Sequence, residues 1–283
     1  YFIDAWHPGA GTENQLRGIL QHLDRDRVEA RLFTLREEVD QSVREQLPCP
    51  VECLHVQSLA SFDSLRKFGR LVSRLRKERF DIVMVYFQDS NLFVVPACRL
   101  AGVRAAVVNR RDMGYWYEPG LLRWLGRVNR FANYFLVNSH AVKKTVVENE
   151  HFSPERIEVI YNGLWDRSDE SIEPQARNDL GLPAQVPLVG IVANLRPVKR
   201  IDRFIDMAAR VHEKIPEAYF LIAGRGELEP ELRAQTSRHG LESRTHFLGH
   251  VSQVRRLLPL LDVGVLTSES EGFSNALIEY TAA

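Results

Sequence analysis

Short apolar runs alternate with longer stretches whose apolar positions recur three and four residues apart, from Tyr1 almost to the last residue. Runs of the first kind suit strands covered on both faces, and stretches of the second kind suit amphipathic helices. The pattern predicts strands over Tyr1–Ala5, Ala30–Thr34, Ile82–Tyr86, Ala105–Asn109, Tyr134–Asn138 and Ile157–Tyr161. Helices are predicted between them over Glu13–His22, Leu65–Glu78, Leu92–Ala101 and Ala141–Glu148. A second series predicts strands over Leu188–Ala193, Tyr219–Ala223, Thr245–Leu248 and Val263–Thr267. Its helices are expected at Ile201–Lys214, Pro230–His239, Ser252–Leu257 and Asn275–Ala282.

Strand–helix alternation of this kind makes a parallel sheet with helices on both faces, so the expected class is α/β with two doubly wound domains. Between the two series the pattern fails. Asp166, Ser168, Asp169, Glu170, Ser171, Glu173, Pro174, Pro183 and Pro187 crowd a segment with few apolar residues. It reads as a linker with a short helix over Gln175–Leu180. The expected organisation is a first domain at 1–163, a linker at 164–186 and a second domain at 187–283. A doubly wound domain usually carries about six strands. The second series shows fewer, so an incomplete second domain is expected.

Composition narrows the function classes. Among 283 residues, 45% are hydrophobic and 26% charged, as in an ordinary globular protein. The 37 Lys and Arg balance 37 Asp and Glu, which removes any bulk electrostatic reason to expect nucleic-acid binding. No apolar run reaches the ~18 residues that span a bilayer. The opening Tyr1-Phe2-Ile3-Asp4 carries no basic region of the signal-peptide type, which agrees with a cytoplasmic protein. Cys49, Cys53 and Cys98 read as free thiols, and the isolated C-x3-C has no second ligand pair nearby. No metal or cofactor is expected.

Two segments carry chemistry. After the strand ending at Thr267, Ser268-Glu269-Ser270-Glu271-Gly272 forms a turn, and a helix begins near Asn275. Ligands of parallel sheets bind beyond the carboxyl ends of the strands, and helix N-termini offer free N–H groups. Glu271 and Glu279 would then flank the amides of Phe273, Ser274 and Asn275. Carboxylates suit sugar hydroxyls, and amides suit phosphate or a polarised sugar oxygen; capping with solvated glutamates is the equal alternative. The second segment, Asn194-Leu195-Arg196-Pro197-Val198-Lys199-Arg200, puts three cations beyond the first strand of the second series. They suit phosphate oxygens, or else a solvated loop.

Taken together these segments resemble family 4 of the GT-B glycosyltransferases. Glu271 and Glu279 are similar to that family's E-x7-E motif, and Arg196-Pro197-Val198-Lys199 to its phosphate loop. Val159-Ile160-Tyr161-Asn162-Gly163, the Gly224-Arg225-Gly226 turn and Phe247-Leu248-Gly249-His250 fall in family order. Pro8-Gly9-Ala10-Gly11-Thr12-Glu13 resembles the N-terminal glycine loop, and Asn109-Arg110-Arg111-Asp112-Met113-Gly114 a branch associated with bacterial polysaccharide synthesis. The resemblance implies two Rossmann-like domains, truncated at both ends here. It implies a retaining, metal-independent transfer from a nucleotide diphosphate sugar to a saccharide or lipid-linked saccharide hydroxyl.

Residue by residue, the resemblance gives Glu279 the ribose hydroxyls and gives Glu271 with Phe273, Ser274 and Asn275 the donor sugar. Arg196 and Lys199 take the departing diphosphate, and Gly9, Gly11 and Gly224 give the backbone room to approach. Many relatives carry Arg where Asn194 stands; Arg196 would substitute for it, or would point elsewhere. Many also carry His in the first domain's loops, where this chain has Tyr86-Phe87-Gln88-Asp89 and Arg110-Arg111-Asp112. Asp112 or Asp89 would orient the acceptor hydroxyl, or would simply pair with a neighbouring Arg. The other readings are a different GT-B enzyme, such as a nucleotide-sugar 2-epimerase or phosphorylase, and a non-catalytic nucleotide-sugar-binding module.

Other features are softer. Asp24-Arg25-Asp26 matches a metal-binding D-x-D but falls where a polar turn is expected, and Gly224-Arg225-Gly226 lacks the rest of a dinucleotide fingerprint. The predicted helix over Leu65–Glu78 has a basic face, and Tyr115-Trp116-Tyr117 and Trp124 accompany Arg123 and Arg127. These features suit peripheral contact with an anionic membrane at its inner face, or a helix packed on the sheet with a solvated basic side.

Overall fold

A computed structural model describes residues 1–7, 9–164, 177–183, 185–251 and 253–283. Pro8, Ala184, Ser252 and residues 165–176 of the predicted linker lie outside the described residues. The chain divides into two compact units, Tyr1–Gly163 and Leu164–Ala283.

The first unit is built on β1 (Phe2–Ile3), β2 (Leu32–Thr34), β3 (Val51–Cys53), β4 (Ile82–Tyr86), β5 (Ala105–Arg110), β6 (Tyr134–Val137) and β7 (Ile157–Val159). They form one seven-stranded sheet in the order β3-β2-β1-β4-β5-β6-β7. Every pair in it is parallel. The helices are α1 (Gly11–Gln21), α2 (Gln41–Arg44), α3 (Phe62–Glu78), α4 (Gln88–Ala101), α5 (Pro119–Val128) and α6 (His140–Glu150).

Successive strand side chains point to opposite faces, and the two cores divide accordingly. Phe2, Phe33 and Val85 join one cluster, with Leu71 and Leu75 of α3. Ile3, Leu32 and Tyr86, their neighbours in sequence, join the other, with Leu16 and Leu20 of α1. Strands buried on both faces leave no polar alternation, which is why the apolar runs read as continuous.

The second unit holds β8 (Leu188–Val192), β9 (Tyr219–Ala223), β10 (Thr245–Gly249) and β11 (Val263–Gly264), in the order β10-β9-β8-β11. All three pairings are parallel. Its helices are α7 (Ile201–Lys214), α8 (Glu229–Arg238), α9 (Val254–Leu257) and α10 (Asn275–Ala282). Ile191, Phe220 and Ile222 pack on one face, and Val192, Leu221 and Ala223 on the other.

Sequence reading and structure differ in several places. β3, α2 and α5 were not predicted. β3 has only three residues with Glu52 in the middle, and it is specified by its ladder with β2 (Leu32 opposite Val51) rather than by an apolar run. The predicted strand to Thr267 ends at Gly264, although the Val265 amide still donates to the Gly190 carbonyl. A single short turn of 3-10 helix, Arg177–Leu180, stands where a helix over Gln175–Leu180 was expected.

The basic face of α3 is partly consumed within the unit. Arg74 pairs with Glu52 and Glu78, Lys67 with Asp63, and Arg76 donates to the Leu100 carbonyl. The aromatic run is divided between the interior and the surface. Trp116 and Tyr117 turn inward, where Trp116 Nε1 donates to Asp112 and the Tyr117 hydroxyl donates to Glu150. Only Tyr115 of the three is exposed, together with Trp124 on α5.

Glu150 closes a buried network. Arg110 at the end of β5 donates Nε to Oε1 at 2.8 Å and Nη2 to Oε2 at 2.9 Å. Asn129 donates to the same carboxylate at 2.7 Å and accepts from Asn91 of α4. Burial opposes both charges, yet Arg110 holds the Glu150 carboxyl below its ordinary range, aided by Tyr117 and Asn129, and Glu150 raises the Arg110 pKa. Removing one member of a buried pair leaves the other charge uncompensated, which costs about 3–5 kcal/mol. Glu150→Ala is therefore expected to lower the stability of the chain by that amount, measured as a fall in the urea midpoint by circular dichroism. An unchanged midpoint would show that the pair does not hold this part of the sheet.

Candidate functional site

In the second unit the chain order reverses at β8, which pairs with β9 on one side and β11 on the other. Loops leaving β8 and β11 diverge there, and the gap at the carboxyl edge is where open parallel sheets bind ligands. The loop after β8 runs through Asn194 and Arg196 to a 3-10 turn at Pro197–Lys199. It enters α7 through Arg200, whose φ of 49° lies in the left-handed region.

Two glycines bring the next turn against this loop. A Cβ on Gly224 would stand 1.9 Å from the Ala193 carbonyl oxygen, and one on Gly226 would stand 2.3 Å from that of Leu195. The close approach lets the Leu195 amide donate to the Arg225 carbonyl and the Gly224 amide to Gly249.

The loop after β11 is tied to the same segment. The Glu269 amide donates to the Val198 carbonyl at 2.9 Å, and Thr267 Oγ1 donates to the Lys199 carbonyl at 2.9 Å. These bonds bring the Lys199 ammonium to 2.6 Å from the Glu271 carboxylate, with both side chains about three-quarters buried. The sequence placed Lys199 and Glu271 at one sheet edge; the structure makes them an ion pair.

Behind them Ser274 caps α10, its hydroxyl accepting from the Leu277 amide. Phe273, Ser274 and Asn275 thus stand at the start of that helix. Tyr280 pins the helix to the sheet, accepting from the Val192 amide at 2.8 Å and donating to the Val265 carbonyl. Glu279 is half-buried beside it. Burial raises its carboxyl pKa, and the charge of Arg255 only partly opposes the shift. Asn194 is exposed, and so is Arg196, whose side chain makes no hydrogen bond or ion pair among the described residues.

Sequence-predicted residues of the first unit stand at its own carboxyl edge. Gly9 takes a φ of 83°, and Gly11 opens α1. Asp112 Oδ1 accepts from the Gly114 amide at 2.7 Å and from Trp116 Nε1 at 2.8 Å, which holds the turn after β5. Burial raises its pKa against those bonds. Asp89 pairs with Arg36, as the alternative reading expected. Asn162 accepts from Arg111, and Gln15 of α1 clasps Gly163 through both its donor and its acceptor.

The sequence reading missed Asp4. Its carboxylate accepts the amides of Ser90 at 2.6 Å and Asp89 at 3.2 Å and so caps α4 from the end of β1. An acid directly after the first strand was the available signal. Glu38, Cys53 and His55 each place one donor atom within 4.8 Å of the others, and the Glu38 carboxylate is engaged by Arg44 and His55.

Comparison with known proteins follows the same division. A family model described as Glycosyltransferase Family 4 matches residues 9–164, and one described as Glycosyl transferases group 1 matches residues 172–283. The chain belongs to glycosyltransferase family 4, and its two parallel-sheet units are those of the GT-B fold.

The UDP-Gal:α-D-GlcNAc-diphosphoundecaprenol α-1,3-galactosyltransferase of Escherichia coli is 28% identical over 260 residues, covering 87% of this chain and 65% of that protein. The O-antigen biosynthesis glycosyltransferase WclY of Escherichia coli is 28% identical over 238 residues, covering 81% and 65%. Among solved structures, Anabaena HepE in complex with UDP and glucose gives a TM-score of 0.81 at 26% identity, covering 99% of this chain and 77% of that one. The chain spans 65% of the length of each of these two curated relatives.

Gly224→Ala tests the loop packing. Overpacking of this kind costs about 1–3 kcal/mol, so a lower urea midpoint is expected; a wild-type midpoint would mean that the two loops are not held together as described.

Proposed function

We propose that the chain is the greater part of a retaining glycosyltransferase. It would transfer a sugar from a nucleotide diphosphate donor to a hydroxyl of a saccharide or lipid-linked saccharide. The observation that carries this reading is the Lys199–Glu271 pair at the β8/β11 edge, beside the capped start of α10. As the bond to the sugar breaks, negative charge develops on the departing diphosphate. A fixed cation and oriented amides stabilise that charge without solvent reorganisation.

Lys199 is paired with Glu271, which holds its ammonium in place. An arriving diphosphate competes for the ammonium and frees Glu271 to accept from sugar hydroxyls. Arg196, exposed and unpaired among the described residues, is a second cation for the phosphates. Glu279 accepts from the ribose hydroxyls, and Asn194, Gly224 and the Phe273–Asn275 amides shape the donor pocket. Gly9 and Gly11 give the first unit's loop its backbone freedom. Asp112 contributes by holding the turn that follows β5.

This site needs no metal ion, because its cations are side chains. UDP and glucose in HepE, and the sugar transfers named for the Escherichia coli relatives, support a nucleotide-sugar donor and a saccharide-bearing acceptor. A cytoplasmic location suits such a donor. No helix among the described residues is long and apolar enough to cross a membrane. Exposed Tyr115 and Trp124, with Arg123 and Arg127, would supply peripheral contact with an anionic leaflet.

With the full-length protein, Lys199→Ala is expected to lower kcat by about 10²–10³, the cost of removing one preorganised group that stabilises transition-state charge. Release of UDP, GDP or ADP from a panel of nucleotide sugars provides the readout. Normal turnover would place the phosphate site elsewhere.

Glu279 supplies a pH signature. A carboxyl with a raised pKa takes up its proton at a higher pH than an ordinary glutamate. As pH falls through that raised value the group loses its acceptor charge, so nucleotide affinity should begin to fall above the ordinary glutamate range. Glu279→Gln should bind nucleotide more weakly and without this dependence. Calorimetric titration with UDP, GDP and ADP from pH 7 downward decides; identical profiles for the two proteins would remove the ribose role.

A further inference from the structure

The β8–β11 ladder stops short of the β8–β9 ladder. β9 stays paired with β8 as far as Val192 and Ala223, whereas the register of β11 ends at Gly190 and Gly264, with one further bond from the Val265 amide to the Gly190 carbonyl. The Ala193 amide donates to β9, so the preceding amide, that of Val192, faces the side that β11 has left. An enclosed amide without a partner is costly.

Tyr280 supplies that partner. Its hydroxyl accepts from the Val192 amide at 2.8 Å and donates to the Val265 carbonyl at 3.3 Å, so a side chain of α10 replaces a rung of the ladder where the two strands part. The ring reaches this position over Gly264, where a Cβ would stand 2.8 Å from its Cγ. Burial pushes the hydroxyl pKa up to about 12, so it remains a donor at neutral pH.

Two features connect this tie to ligand binding. None of the eight residues of α10 is buried, whereas α7 buries Ile201, Phe204, Ile205 and Ala208. Apolar packing therefore holds α10 less firmly, and hydrogen bonds carry more of its placement. The two ends of α10 are also held by different means. The loop leading into it is fixed by the bonds to Val198 and Lys199. Tyr280 ties the far end to the sheet, and Glu279 is its immediate neighbour in sequence.

We propose that Tyr280 is a positioning residue for the nucleotide: its hydroxyl, set between β8 and β11, holds Glu279 where the carboxylate accepts from the ribose hydroxyls. The proposal rests on the ribose role given to Glu279 above and adds the group that keeps that carboxylate in place. A tyrosine with a purely structural part would support every ligand contact of the unit alike. One that acts through Glu279 matters only to a ligand that carries ribose hydroxyls.

The experiment uses the full-length protein and calorimetric titration with whichever of UDP, GDP and ADP binds most tightly, beside the 2′,3′-dideoxy form of the same nucleotide. The wild type is expected to favour the ribose form, because a carboxylate placed for hydroxyls goes unpaired when they are missing. Tyr280→Phe keeps the ring over Gly264 and removes only the hydroxyl. It should weaken binding of the ribose form about three- to tenfold, the range of one neutral hydrogen bond. Its affinity for the dideoxy form should equal that of the wild type. In a Glu279→Gln background the same substitution should change neither affinity, since residues that act as a unit are not additive.

Equal weakening of both nucleotides by Tyr280→Phe would make the tyrosine a general support and overturn the proposal. Wild-type affinity for both, or a loss that persists in full beside Glu279→Gln, would also overturn it. A wild type that binds the two forms equally would instead remove the ribose role of Glu279, and one that binds no nucleoside diphosphate would count against the transferase reading; the Tyr280 proposal falls with either.

Discussion

Everything at the candidate donor site depends on β8 being hydrogen-bonded on both sides by parallel strands. A strand so placed receives β9 on one flank and β11 on the other, and the connections leaving it must part. The backbone bonds from Glu269 to Val198, and from Thr267 to Lys199, then draw the far ends of the two loops together again. A lysine and a glutamate 72 positions apart thereby become partners at 2.6 Å. The same ladder logic at β1 and β4 places Asp4 against the first turn of α4.

The two units use charge differently. In the first, Arg110 and Glu150 are fully enclosed, and their mutual attraction offsets desolvation that neither could bear alone. Such a pair is weak evidence of net stabilisation, but it makes the loss of either partner costly. In the second, Lys199 and Glu271 are only partly enclosed, so water still reaches both charges and the pair costs less to part.

Much of the framework was legible beforehand. Ile82–Tyr86, Tyr219–Ala223, Ile201–Lys214 and Asn275–Ala282 stand where the pattern put them, because apolar strands and an amphipathic helix such as Ile201–Lys214 are specified by their own residues, and Ser274 caps Asn275–Ala282. β3 was not, because three residues with a central glutamate carry no periodic signal and take their form from the neighbouring β2. α5 was not either: its Trp124 stays exposed, while Trp116 and Tyr117, just before it, turn inward to Asp112 and Glu150.

The sequence by itself determined the alternation of strand and helix, the position of Lys199 beyond β8 and of Glu271 beyond β11, and the glycines that permit close backbone approach. Only the tertiary structure decided which of these groups meet. It paired Lys199 with Glu271 and left Arg196 exposed, committed Asp112 to its own turn, and set the Tyr280 hydroxyl between β8 and β11. The physical reason is that local pattern fixes which face a side chain occupies. Strand order and loop hydrogen bonding, which join residues distant along the chain, decide what stands opposite it.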